Sequence, residues 1–323
     1  MLSKQSRIIS DQQLRAYYSP ICNHRINFPQ YQPYLYNLTY INMVQFIAVG
    51  DTGSGYHEQH EVAKSMHKLC KKKTINSILL LGDNIYEDGV SSVNDPQFKT
   101  KFEDPYKHIN KLFHLCLGNH DYGNSLFTFR KGREKFQIEY SKLSKKWSMP
   151  AKYYSIKRGP CEIFFLDTNF EFMSESVIMK QFHEMLKKIK QSKSKWNIVC
   201  GHHTWRSVGG HGNAEKRHEV FMDDLLKAGA RINLYMCGHD HCKNIILKQN
   251  PYKKQKIPLL VIGTGGKIYS KNLINYNNMK EGESELLFHS PNLGICRVDA
   301  TSKRIKATCY NEELQEEFTY EIN

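Results

Sequence analysis

Five short apolar runs in this chain end in the same way. The run stops, a glycine follows, and the next residue carries a side chain able to hold a metal ion. The junctions are Gly50-Asp51, Gly82-Asp83, Gly118-Asn119, Gly201-His202 and Gly238-His239. The runs before them (46–49, 78–81, 112–117, 198–200 and 232–237) are nearly continuous in apolar residues, as are 163–166 and 259–262. Runs of this length predict strands buried on both faces. A glycine lets the chain turn sharply as it leaves a strand. The side chain after it then projects from the carboxyl edge of the sheet, where open α/β sheets bind ligands.

Helical periodicity fills the intervals. Residues 60–72 place Val62, Met66, Leu69 and Cys70 on one side, and 176–190 place Ile178, Phe182, Met185 and Ile189 on one side. Residues 217–228 carry Phe221, Leu225 and Ala228, with Gly229 as a stop, and 133–143 form a fourth, weaker candidate. Strands alternating with helices predict a layered α/β domain. The 323 residues would allow about two domains by length. No internal repeat or low-complexity linker divides them, so one large domain over 42–323 is expected. Residues 1–41, polar and tyrosine-rich with Pro20, Pro29 and Pro33, read as an N-terminal extension. The C-terminal residues read as strands returning to the sheet edge.

Charge and cysteine content narrow the setting. Lysine and arginine number 46 against 32 aspartates and glutamates, a balance of +14 spread over scattered lysines. A basic surface attracts phosphoesters and other anions but does not make nucleic acid an obligatory partner. Nine cysteines, several inside apolar runs, argue for free thiols and a reducing compartment. No run is long enough for a membrane span, and MLSKQSRIIS lacks the apolar segment of a secretory signal. A cytoplasmic monomer is expected. One sequon, at Asn37, carries little weight in that setting.

Five strand exits on one crevice would gather two aspartates, an asparagine and several histidines. Mixed oxygen and imidazole donors suit iron, zinc or manganese better than calcium or magnesium. The donors outnumber what one ion needs. Two ions about 3.5–4 Å apart, bridged by one carboxylate, would use them all. Such a pair clamps a phosphoryl group and activates water for in-line attack.

The ordered blocks GDTG (50–53), GDNIY (82–86), GNHD (118–121), GHH (201–203) and GHDH (238–241) resemble the calcineurin-like metallophosphoesterases. The tyrosine three residues after Asp83 makes GDN-x-Y similar to the purple acid phosphatases, especially the small, single-domain, tartrate-resistant type. EYSKLSKKWSMPAKYYSI (139–156) and FFLDTN (164–169) extend that likeness, which spans about residues 44–310. The resemblance implies a four-layer α/β/β/α sandwich with mixed β-sheets. It implies that Asp51, Tyr86 and His241 hold Fe(3+), that Asn119, His202 and His239 hold a divalent ion (Fe(2+), Zn(2+) or Mn(2+)), and that Asp83 bridges the two. His120 and His211 would be the catalytic pair, binding substrate phosphate, with one of them protonating the leaving group. Asp121 would orient a neighbouring histidine. The implied activity is an acid phosphatase acting on small phosphate monoesters or phosphoproteins, through a metal-bound hydroxide attacking phosphorus in line.

Two blocks depart from the pattern. Thr52 stands where the family has tryptophan, and His203-Thr204 stand where it has tyrosine and proline. Alternative readings are a phosphodiesterase or nuclease on the same scaffold and a non-catalytic metal-binding interaction module. The GD-x-x-DRG and GNHE blocks of protein Ser/Thr phosphatases are absent. Outside the blocks, His114 reads as a satisfied core histidine, His218 as a helix cap, Cys242 as a buried thiol, and GTGG (263–266) as a strand-end turn lining the site.

Overall fold

The computed structural model describes residues 43–125, 128–129, 132–269 and 273–323. The extension expected over 1–41 and the sequon at Asn37 lie outside the described residues. In chain order the strands begin with β1 (Met43–Val49), β2 (Ser77–Leu81), β3 (Leu112–Cys116), β4 (Asn124–Ser125), β5 (Thr128–Phe129) and β6 (Trp147–Ser148). Next come β7 (Tyr154–Arg158), β8 (Cys161–Phe165), β9 (Trp196–Cys200), β10 (Leu234–Cys237) and β11 (Lys243–Gln249). The last are β12 (Lys256–Ile262), β13 (Ser284–Ser290), β14 (Gly294–Thr301), β15 (Ile305–Asn311) and β16 (Glu316–Ile322). The α-helices are α1 (His57–Lys72), α2 (Glu134–Tyr140), α3 (Glu175–Gln191) and α4 (Lys216–Lys227).

Fourteen of these strands form two mixed sheets, ordered β16-β15-β14-β1-β2-β3-β6 and β13-β11-β12-β10-β9-β8-β7. Each has a parallel half, β1-β2-β3-β6 in one and β12-β10-β9-β8 in the other, with antiparallel strands beside it. All seven apolar runs became strands, and β15 and β16 form a sheet edge as expected. The helices match the periodicity to within a few residues. Gly229 follows α4 at φ 88, the left-handed conformation that ends a helix.

The strands are apolar throughout because each face has its own neighbour. In β8, Cys161, Ile163 and Phe165 join the core shared with the first sheet, while Phe164 packs with residues of α3 and α4. β10 repeats the division, with Leu234 and Met236 on one side and Tyr235 and Cys237 on the other. Full burial of each large apolar side chain contributes roughly 1.5–3 kcal/mol, so neither face can turn to water cheaply. The result is the metallophosphoesterase sandwich the resemblance implied. A buried lysine also joins its sheets: Lys243 on β11 donates to the carbonyls of Asn292 and Leu293 at 2.8 and 3.0 Å and pairs with Glu317 at 2.8 Å. No helix among the described residues is long and apolar enough to cross a membrane. All eight described cysteines are free.

Two histidine expectations need correction. His114 is buried on β3, but its Nδ1 has no hydrogen-bond partner among the described residues, so it is only partly satisfied. His218 does not cap α4; it is buried, with Nε2 3.3 Å from the Tyr235 hydroxyl. Burial, reinforced by Arg158, pushes the His114 pKa down to about 4. The folded protein therefore binds this proton less readily than the unfolded chain does. Stability is intact above the unfolded value near 6.5 and falls by about 1.4 kcal/mol per pH unit toward pH 4. Replacing His114 with leucine removes that slope. In urea unfolding of the metal-free protein, the variant should lose about 2–3 kcal/mol less than wild type between pH 7 and 4.5. Equal losses would contradict the assignment.

Candidate metal centre

The five strand exits converge where the parallel halves of the two sheets meet. The Gly50 amide, leaving β1, donates to the Ile262 carbonyl of β12 at 2.7 Å. His202, leaving β9, donates from Nδ1 to the Leu81 carbonyl of β2 at 2.9 Å. These bonds cross from sheet to sheet and fix the exits against each other.

The turning is not done mainly by the glycines. Of the five exit glycines only Gly82 has a positive φ; Asp51, Asp83 and His239 themselves hold φ 59, 52 and 69. Left-handed backbone is uncommon for residues with side chains, and it marks places where surrounding structure enforces a geometry. The glycines supply room. A Cβ on Gly82 would lie 2.5 Å from His202 Nδ1, and one on Gly118 would lie 2.1 Å from Asp83 Oδ1. Each of these two exits leaves a vacant volume that the donor of another exit fills.

Two groups of donor atoms result. In the first, the Tyr86 hydroxyl donates to Asp51 Oδ1 at 2.8 Å, and His241 Nε2 lies 3.3 Å from Tyr86 Oη and 3.4 Å from Asp51 Oδ1. In the second, His202 Nε2 lies 3.1 Å from Asn119 Oδ1 and 3.2 Å from His239 Nδ1. Asp83 stands with the second group through its Oδ1, 3.4 Å from His202 Nε2, and Asp51, Asp83 and His202 offer ligand atoms within 4.8 Å of one another. All seven expected metal-ligating residues are in this cluster.

The cluster has the electrostatics of a cation site. Asp51 and Asp83 are buried, and neither pairs with a lysine or arginine among the described residues. Burial alone would push the His202 pKa down, yet the charge of Asp83 and its hydrogen bond raise it to about 10. A proton on imidazole thus occupies the role a metal ion would take. Burial, with the charges of Asp51 and Asp83, holds the Tyr86 phenol well above its usual range, so it ionises only against a strongly acidifying cation. Lys267 Nζ sits 4.0 Å from the centre of the Tyr86 ring, which favours negative charge on that ring. Donor types, burial and charge therefore fit metal ions, and binding them would release protons.

His120 and His211 flank the cluster. The His120 amide donates to Asp83 Oδ1 at 3.0 Å, and its ring Nδ1 lies 2.5 Å from the Glu87 carbonyl oxygen. The His211 ring stacks on His239 with centroids 4.2 Å apart and is solvent-exposed. Asp121 does not orient a histidine. Its carboxylate accepts from the amides of Gly118, Asn84 and Ile85 and from the Gln137 side chain, clamping the exits of β2 and β3 together. Cys242 is buried, as expected, and a Cβ on Gly263 would lie 2.9 Å from Asp51 Oδ2, so the GTGG turn lines the site.

Two contributors were not singled out from the sequence. Asp240, inside GHDH, is buried and accepts from the Ser207 hydroxyl and the His211 amide, which secures the loop carrying His211. Thr168 follows the run 163–166, an exit without a glycine, and its hydroxyl accepts from the His202 amide at 3.1 Å. The signal was the strand exit itself, masked because no glycine announced it.

The calcineurin-like phosphoesterase family model matches residues 44–243. Purple acid phosphatase 4 of Arabidopsis thaliana is 28% identical over 292 residues, covering 83% of this chain and 80% of the relative. Tartrate-resistant acid phosphatase type 5 of Oryctolagus cuniculus is 29% identical over 236 residues, 64% of this chain and 70% of the relative. Among solved structures, GAP50, the anchor in the inner membrane complex of Plasmodium, superposes with a TM-score of 0.70 at 21% identity, covering 87% of this chain and 89% of that one. That last likeness concerns the fold alone.

Proposed function

The chain belongs to the calcineurin-like phosphoesterase family, which makes it a phosphoester hydrolase, and on that premise we propose that it is an acid phosphatase hydrolysing phosphate monoesters at a dinuclear centre. The observation that carries this reading is the meeting of two donor groups at buried carboxylates that no lysine or arginine among the described residues neutralises. The names of its relatives, purple acid phosphatase and tartrate-resistant acid phosphatase, support a phosphatase working in acid.

In this proposal Asp51, Tyr86 and His241 would hold a ferric ion, Asn119, His202 and His239 would hold a divalent ion, and Asp83 would be shared by the two. Bound ions would supply the positive charge that clamps phosphoryl oxygens and acidifies the attacking water. The protein's own groups do the rest. The His202 bond to Leu81 directs Nε2 toward the centre, and Asp121 holds the Asp83 and Asn119 exits at fixed separation. His120 and His211 are proposed to bind the phosphate, with one of them giving a proton to the leaving oxygen.

Metal analysis with an absorption spectrum, beside an aryl phosphate pH profile, tests the reading. The wild type should be coloured under oxidising conditions, with maximal turnover below pH 7. Tyr86→Phe should lose the visible band while retaining part of its metal, because only the phenolate supplies that transition. A colourless wild type with zinc at both positions would remove the ferric assignment and leave the phosphoesterase one. A large excess of bis(aryl) over mono(aryl) phosphate turnover would replace the monoesterase by a diesterase.

A further inference from the structure

A cavity of about 330 Å³ opens beside Asn119 and His239 and is walled by Phe170, Glu171, His203 and Arg217. This space adjoins the donor cluster through Asn119 and His239, so the ester group of a phosphate held there has room in it. His203 stands on that wall at a position where the sequence departs from the family pattern.

The hydrogen bonds around Thr168 fix the state of the His203 ring. The Thr168 hydroxyl oxygen accepts from the amides of His202 and His203, each at 3.1 Å, which uses both of its lone pairs. Its own proton then has one partner, His203 Nδ1, at 2.9 Å. The reverse arrangement would give the oxygen a third donor and leave a buried hydroxyl proton unpaired. Nδ1 therefore accepts, and the ring's N–H is on Nε2. The ring is kept in place by packing against His239, centroids 4.5 Å apart.

Nε2 lies 3.8 Å from Glu171 Oε1. This is too long for a direct hydrogen bond. It leaves the Nε2–H donor and the Glu171 carboxyl facing the same space, within reach of one oxygen that accepts from Nε2–H and donates to the carboxyl group. A hydroxyl group does both; an ether, a methyl or an aryl edge does not.

We propose that His203 and Glu171 form a leaving-group subsite that reads a hydroxyl, so that the favoured substrates are phosphate monoesters of polyols. This rests on the monoesterase reading above. Glycerol 3-phosphate and propyl phosphate share a skeleton and differ in hydroxyls, and the readout is the ratio of their kcat/KM values on the metal-loaded protein. The wild type should favour the glycerol ester tenfold or more, since a site built to pair a hydroxyl discriminates against its absence. Glu171→Ala and His203→Phe should each bring the ratio toward one. Glu171 is exposed, so its variant folds and decides the matter even where His203→Phe does not. A wild-type ratio near one, or variants that lower both rates and keep the ratio, would overturn the subsite and leave the monoesterase standing. Failure of the wild type to hydrolyse either ester or an aryl phosphate would overturn both.

Discussion

Asp83→Ala should abolish phosphatase activity and remove the protein's ability to be stabilised by metal. Asp83 is buried, and its Oδ1 lies 3.4 Å from His202 Nε2 and accepts from the His120 amide. As the proposed bridge, it is the one carboxylate on which both ions depend. Loss of an outer hydrogen-bond partner costs a metal site roughly 10–100-fold, and loss of a shared ligand should exceed that. Burial raises the Asp83 pKa and the charges of His202 and His120 more than reverse it, so the carboxyl sits well below its usual range. Without Asp83, His202 has lost the main group that holds a positive charge beside it. The measurement is thermal unfolding with and without added metal, beside activity. Wild type should rise in Tm with metal by mass action, and the variant should not. A variant that keeps two ions and most of its activity would show that Asp83 is not the bridge.

What the sequence made legible was the half of each sheet that is buried on both faces. Strands such as β2, SILLL, need no help from context, because two apolar neighbours demand an unbroken apolar run. The antiparallel strands were harder to place. β14, GICRVDAT, interrupts its pattern with Arg297 and Asp299, and only the structure shows why this is tolerated. Arg297 Nε donates to Asp299 at 3.0 Å, and Gln45 donates to the same carboxylate at 2.8 Å. The division of β8, β9, β10 and β12 between two cores, and the pairing of β1 with β14 across the chain, depend on contacts far apart in sequence. No local period encodes them.

The donor set was legible for a different reason. Each donor follows a strand directly, or within a few residues, so strand order carries it to the sheet edge. The supporting groups do not share that property. Asp240 acts on a loop some thirty residues before it, by accepting from Ser207 and the amide of His211. Asp121 matches a familiar block, but its partners are amides of other exits rather than a histidine. Pattern gave its position and misassigned its work, because the direction of a carboxylate is set by which donors surround it.

Gly118→Ala adds a single methyl group and should reduce activity on the order of 100-fold. The new Cβ would lie 2.1 Å from Asp83 Oδ1 and 2.3 Å from the Asp83 amide nitrogen. Neither neighbour can yield easily. The Asp83 backbone is held at φ 52 with its carbonyl accepting from the Gly53 amide, and the next residue, Asn84, is tied to Asp121. The Gly118 backbone itself is not left-handed, so the clash is the whole cost. Overpacking of this kind costs roughly 1–3 kcal/mol, and a displacement of about 1 Å in a reacting group can cost about 100-fold in rate. Gly229→Ala is the control. Gly229 has φ 88 and a Cβ there meets nothing within 4 Å, so alanine strains the α4 terminus without approaching the site. It should lower Tm and leave kcat/KM within about twofold, since a helix cap lies outside the centre. Equal activity in the two variants would mean that the exit glycines serve chain folding rather than the placement of Asp83.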